Sequence, residues 1–394
     1  MMFLQYFLWG AWYVTLGTWL ASALRFSGEQ IGLAAGTTAI AAIVSPFFVG
    51  LIADRRFPTQ RVLGALHLVG AAVLLLTSRQ TSFGTLYPGL LLYSLCFMPT
   101  LALTNSLAFR HMRQPQLEFG PIRVFGSIGW IVAGLIVGYA GIEATALPMR
   151  LAAAASLVLG LYSFTLPSTP PLATTGGAVS LLERILPQDA LRLFRDRSIA
   201  VFVIASFLIC IPLQFYYAFT NLYLNEIGVH GAAAKMTGGQ LSELLCMLLI
   251  PWFFRRLGVK YLLAVGMLAW VARYGLFASG NADALMWMLW VGILLHGLCY
   301  DFFFVVGQIY IDREAPPRLR AAMQGVITMI TYGAGMLVGS WFSGRVVDAF
   351  DRGGGLGHDW QSIWRVAAGC SAVVLVLFLG TFSAREVSHE RSVA

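Results

Sequence analysis

The chain reads as an all-α polytopic membrane protein with twelve transmembrane helices in two six-helix bundles. Three observations predict this. Hydrophobic residues make up 58% of its 394 positions and charged residues 11%, with a mean hydropathy of +0.75; soluble chains are about 25% charged. Apolar runs of about 20 residues recur from Met1 to Phe382, each long enough to cross a hydrocarbon core of roughly 30 Å. Basic residues also alternate: 17 of the 26 Lys and Arg fall in one set of loops and tails and seven in the other, with Arg123 and Arg273 inside spans. The positive-inside rule assigns the richer set to the cytoplasm, so the net charge of +8 reflects topology and not nucleic-acid binding.

Taken in order, the spans fall near 2–24, 31–53, 61–79, 84–107, 122–141, 147–166, 199–225, 234–254, 259–279, 284–311, 321–343 and 362–383. The first lacks the basic n-region and small-residue cleavage site of a signal peptide and is expected to be a retained helix. An even number of spans puts both termini in the cytoplasm with the basic loops 54–61, 110–123, 255–260 and 312–320. The longest polar interruption, 167–198, opens Pro/Thr/Gly-rich and continues SLLERILPQDALRLFRDRS. Its second part has apolar residues at helical spacing among charges, as in a surface amphipathic helix. This linker separates an N-terminal bundle, 1–166, from a C-terminal bundle and short cytoplasmic tail, 199–394. The five cysteines lie in apolar spans at no metal-ligand spacing and read as small buried hydrophobes. No metal or cofactor is expected. Helical spans also exclude an outer-membrane barrel and point to the inner, cytoplasmic membrane.

Two carboxylates carry the functional signal. Glu243 lies in GGQLSELLCMLLIPWFF and Asp301 in WVGILLHGLCYDFFFVVGQIYI. An ionised acid at the middle of a span costs at least ~3 kcal/mol on insertion scales, so it normally faces a pathway, partner or site. Both have polar or aromatic company at helical spacing. Gln240 precedes Glu243 by three residues, while His296 and Tyr300 lie on the span of Asp301. The fifth span offers Arg123, Ser127 and Trp130, and the seventh Gln214, Tyr217 and Asn221. Each stripe alone has a plain structural explanation: Arg123 can snorkel, the amides can glue helices together, and His296 can be a satisfied core histidine. Two separate buried hydrogen-bond networks are the alternative for all four together. The cost of burying acids away from water favours one central cavity. Its amides, carboxylates and ring faces suit a polyhydroxylated ring bearing a flat base, or a plain sugar.

Several segments carry a family resemblance. FLQYFLWGAWYVTLGTWL, FMPTLALTNS, PIRVFGSIGW, LQFYYAFTN, GGQLSELL, HGLCYDFFF and AAMQG, in this order from the first span to the eleventh, resemble the nucleoside–proton symporter family of the major facilitator superfamily. Within it the chain resembles a provisional nucleoside-transporter branch more than the uridine and xanthosine carriers. The loop after the second span is similar to the superfamily's G-x-x-x-D-R motif, with Gly50, Asp54, Arg55 and Arg61 as the implied cytoplasmic gate. The resemblance places nucleoside contacts at Arg123, Ser127, Trp130, Gln214, Gln240, Glu243, Tyr300 and Asp301. Three positions depart from the family pattern: Tyr217 stands for an asparagine, His296 for a tyrosine and Ser127 for a threonine. Ser127 keeps the hydroxyl, whereas Tyr217 and His296 change shape where cargo is expected.

The expectation is therefore a secondary active transporter importing nucleosides by proton symport with alternating access. Glu243, Asp301 and His296 are the candidate proton carriers. The alternative is a carrier of sugar or another small polar metabolite on the same fold. Neither a nucleophile elbow nor a zinc-spaced His cluster nor a phosphate loop is present to suggest an enzyme. The expected partners are a nucleoside, protons and the lipid bilayer, and the expected carrier is a monomer.

Overall fold

The computed structural model describes residues 1–52, 57–170 and 188–383, and only the backbone of 48–52 and 115–117. Within them the chain is helical almost throughout, in twelve spans. Asp54 and Arg55 lie outside the described residues, as does the first half of the amphipathic segment. Of Gly50 only the helical backbone is described, and Arg61 is exposed in the first turn of the third span. The described remainder of the amphipathic segment is short: a helix over Gln188–Arg192 and one 3-10 turn over Leu193–Arg195.

Spans two to six run Gly28–Ile52, Thr59–Thr77, Phe83–His111, Pro115–Tyr139 and Leu147–Ser163. The seventh, Arg197–Glu226, starts where the Asp196 carboxylate accepts from the Ser198 and Ile199 amides, satisfying donors that a helix start leaves free. Asp359 does the same for the twelfth, Trp360–Thr381. Large apolar side chains such as Leu161, Leu248 and Val376 stay exposed on the outer surface, as a lipid-facing wall requires.

Five spans depart from single straight helices. The first breaks into Met2–Trp12 and Leu16–Ser22. At the break the Thr15 hydroxyl lies 3.3 Å from the Trp12 carbonyl oxygen and donates to it, and such back-bonding bends helices. The eighth and ninth spans run on through Ala232–Ser279 except at Gly258, whose φ of 68° is open to a glycine without strain. The tenth comprises Met286–Leu294, His296–Tyr300, a π-helical turn at Asp301–Val305, and Val306–Glu314. The eleventh has a π-helical stretch, Met329–Gly335, between Arg320–Thr328 and Met336–Ala349. π-turns of this kind gather at functional sites.

Close contacts between spans of the first six and the last six concentrate at one end of the helices. A Cβ on Gly17 would stand 2.3 Å from the Ala218 carbonyl oxygen, and one on Gly32 would stand 2.1 Å from that of Ser340. Only glycine lets these backbones approach so closely. At the same end Asp348 caps the second span across the divide, accepting from the Gly28 and Glu29 amides at 2.5 and 2.8 Å. Glu29 in turn pairs with Arg345 at 3.2 Å.

Candidate functional site

Glu243 sits on the eighth span with its side chain 22% exposed, its Oε2 4.0 Å from Nε2 of the buried His296. The single polar face of GGQLSELL accounts for this: Gln240, also half-buried, lies one turn earlier on the same side. His296 is sandwiched between aromatic rings. Tyr216 stacks on it at 5.2 Å and Tyr300 at 5.9 Å, while Tyr217 meets it edge-on at 6.4 Å. The Tyr300 hydroxyl shares a hydrogen bond with that of Tyr332, from the π-helical stretch of the eleventh span.

The opposite wall comes from the first and fifth spans. The Arg123 guanidinium lies 4.0 Å from the centroid of the Tyr6 ring. Trp130 meets Trp9 edge-on at 5.5 Å, and Ser127 is half-buried between Arg123 and Trp130 on the same helix face. Arg123 and Glu243 are near enough to couple electrostatically, and both also act on Tyr6 and Tyr300. Tyr13, at the break in the first span, approaches Tyr217 at 6.1 Å, bridging the two walls.

Arg123, Ser127, Trp130, Tyr217, Gln240, Glu243, His296 and Tyr300 thus occupy two facing walls. Two other residues singled out in the sequence sit deeper. Gln214 is fully buried and donates from Nε2 to the Ser340 hydroxyl at 2.5 Å. Asp301 is also fully buried, with neither carboxylate oxygen hydrogen-bonded among the described residues, and it couples electrostatically to Glu243. It opens the π-helical turn that follows Tyr300 and is shut off from the exposed surface of the walls.

Asn221 belongs elsewhere. It lies two turns beyond Gln214, where its Oδ1 accepts from Thr18 at 2.5 Å and its Nδ2 donates to Glu143 at 3.2 Å. Glu143 also accepts from Asn225 Nδ2 at 2.6 Å and from the Ala233 amide at 2.8 Å. The loop after the fifth span is thereby tied to the seventh and eighth. Tyr6, Tyr216, Tyr332 and Glu143 were not singled out from the sequence, because the residues they meet lie on other spans or in a distant loop. No group of three or more His, Cys, Asp or Glu able to hold a metal occurs among the described residues. All five cysteines are free there, three buried and two half-buried.

The chain matches the family model described as "Nucleoside H+ symporter" over residues 1–387. It is 42% identical to the Escherichia coli (strain K12) protein named "Putative nucleoside transporter YegT", over 99% of this chain and 93% of that protein. Xanthosine permease of the same organism is 34% identical, over 97% of this chain and 94% of that protein. The crystal structure of nucleoside transporter NupG superposes with a TM-score of 0.89 at 32% identity, covering 98% of each chain. The resemblance read from the motif segments is borne out, as is the fold.

Proposed function

Because this chain belongs to the nucleoside H+ symporter family, whose members are membrane transporters and not enzymes, we propose that it imports nucleosides together with protons across the bacterial inner membrane. The observation that carries this reading is the placing of Arg123 and Glu243 on facing aromatic-lined walls, with Arg123 against the Tyr6 ring and Glu243 against His296. A carboxylate, a guanidinium, an amide and hydroxyls can bind a ribose and the polar edges of a base, while Trp130, Tyr6, Tyr217 and Tyr300 offer ring faces for stacking. In this reading Glu243, with His296 against it and Asp301 behind it, takes a proton on the outer side and releases it inside. Binding of cargo and proton favours closure around the site, and the acid's surroundings change as the helices move.

Two bundles, 1–166 and 199–394, joined by the linker 167–198, would rock about the site as a monomer with both termini in the cytoplasm. The inter-bundle contacts at Gly17, Gly32 and Glu143 would then seal the outer face, leaving the site accessible from the cytoplasm. The gate loop Gly50, Asp54, Arg55 and Arg61 would close that side in the alternate state.

The test is uptake of labelled uridine or adenosine into proteoliposomes with and without an imposed pH gradient, acid outside. Accumulation above the equilibrium level only with the gradient supports proton symport. Uptake competed by sugars and not by nucleosides overturns the cargo assignment. Accumulation that ignores the gradient overturns the coupling.

A further inference from the structure

Arg273, on the ninth span, is fully buried. Its Nε donates to the Gly292 carbonyl at 3.0 Å, and neither Nη1 nor Nη2 has a hydrogen-bond partner among the described residues. No carboxylate pairs with it there. A buried cation lacking a counter-charge is costly to keep inside a membrane protein, and a methionine would fill the same space without that cost. What Arg273 does hold is a ring: its guanidinium carbon lies 4.2 Å from the centroid of Tyr216.

Tyr216 is 1% exposed and its hydroxyl has no partner among the described residues, so contacts on its ring faces fix its position. One face contact is with Arg273. Another is with His296, stacked at 5.2 Å with 23° between planes, and His296 Nε2 reaches to 4.0 Å from Glu243 Oε2. Guanidinium, phenol ring, imidazole and carboxylate therefore form one column running from the ninth span through the seventh and tenth to the eighth. A planar guanidinium can lie flat on a ring in a way an ammonium cannot.

We propose that Arg273 is a positioning residue for Glu243, holding Tyr216 and through it the His296 ring against the carboxylate that couples transport to protons. The proposal rests on the coupling role assigned to Glu243 above. Arg273 itself does not touch cargo. The other groups facing Glu243 (Arg123 and Tyr6 from the opposite wall, Tyr217, Tyr300, Asp301 and Cys246 from its own) remain in place in every variant below.

The experiment compares the parent protein with Arg273→Met, Arg273→Lys, Tyr216→Leu and the double variant Arg273→Met/Tyr216→Leu in proteoliposomes. Two readouts are taken with labelled uridine: accumulation driven by an acid-outside gradient, and exchange at equal pH on both sides. Accumulation is expected to fall roughly thirtyfold in Arg273→Met and in Tyr216→Leu, the weight of one desolvated cation–π contact. Exchange persists, the double variant loses no more than either single one, and Arg273→Lys falls between. Parental accumulation in either single variant, additive losses, or equal falls in accumulation and exchange overturn the proposal. If Arg273→Met does not fold, Tyr216→Leu carries the test alone, and full accumulation in it overturns the proposal. A Glu243→Gln control that accumulates like the parent would instead overturn the coupling role of Glu243, a failure distinct from that of Arg273.

Discussion

Replacing Glu143 with alanine should open the end of the molecule where the two sets of spans meet. Glu143 accepts three hydrogen bonds, from Asn225 at 2.6 Å, Asn221 at 3.2 Å and the Ala233 amide at 2.8 Å, all on the seventh and eighth spans. Each bond to a charged group is worth ~2 kcal/mol in place, but opening hydrates the freed amides, so about 1 kcal/mol each survives as net. Three such bonds give about 3 kcal/mol, or a shift of roughly 150-fold between closed and open states. Thr237 is a suitable reporter. It is 8% exposed, and a Cβ on Gly134 across the divide would lie 2.6 Å from its methyl. In a background with the five native cysteines replaced, Thr237→Cys should react slowly with a membrane-impermeant maleimide applied from outside. Adding Glu143→Ala should raise that rate by up to roughly two orders of magnitude, and Glu143→Gln, which keeps one acceptor oxygen, should raise it less. An unchanged rate in a folded, nucleoside-binding Glu143→Ala protein refutes the reasoning.

Three further outcomes are expected. Glu243→Gln should abolish gradient-driven accumulation while leaving exchange at equal pH measurable, and retained uphill uptake would remove Glu243 from the coupling role. Gly17→Ala should also loosen the sealed end, because its Cβ would stand 2.3 Å from a backbone oxygen of Ala218 and overpacking of this kind costs ~1–3 kcal/mol; a Thr237→Cys labelling rate equal to that of the parent speaks against it. His358, in the loop before the twelfth span, lies 3.0 Å from Glu226. Burial there pulls its pKa down, but the hydrogen bond and charge of Glu226 prevail and raise it above the ordinary histidine value. A raised folded-state value means the pair's stabilisation is complete below about pH 6.5 and is lost as pH climbs through the folded value. His358→Gln should therefore lower Tm more at about pH 5.5 than at about pH 8.5, and an equal loss at both pH values contradicts the assignment.

Glu243 was legible because an acid in an apolar run has no neutral explanation, and its stripe-mates followed from helical periodicity. Tyr6, Tyr216 and Tyr332 were not, since an aromatic residue inside a span reads the same whether it packs, anchors or lines a site. The two π-helical turns left no mark either, because they arise from packing against neighbouring spans that sequence spacing does not record. Glu143 looked like an ordinary loop acid, its partners 78 to 90 residues away.

Asn221 shows the sharper limit. Periodicity rightly put it on one face with Gln214 and Tyr217, but a face has no depth. Seven residues of helix carry a side chain about 10 Å along the axis, far enough to move Asn221 out of the facing walls and into the contact with Glu143. That displacement has a mechanical consequence. The seventh span bears Tyr217 at the walls, Gln214 behind them, and Asn221 and Asn225 at the seal, within the one helix Arg197–Glu226. A displacement of this helix that parts its bonds to Glu143 also moves the wall that meets His296 through Tyr217 and Tyr216. Opening the sealed end and reshaping the surroundings of Glu243 would then be one movement, as the proposed proton-driven import requires.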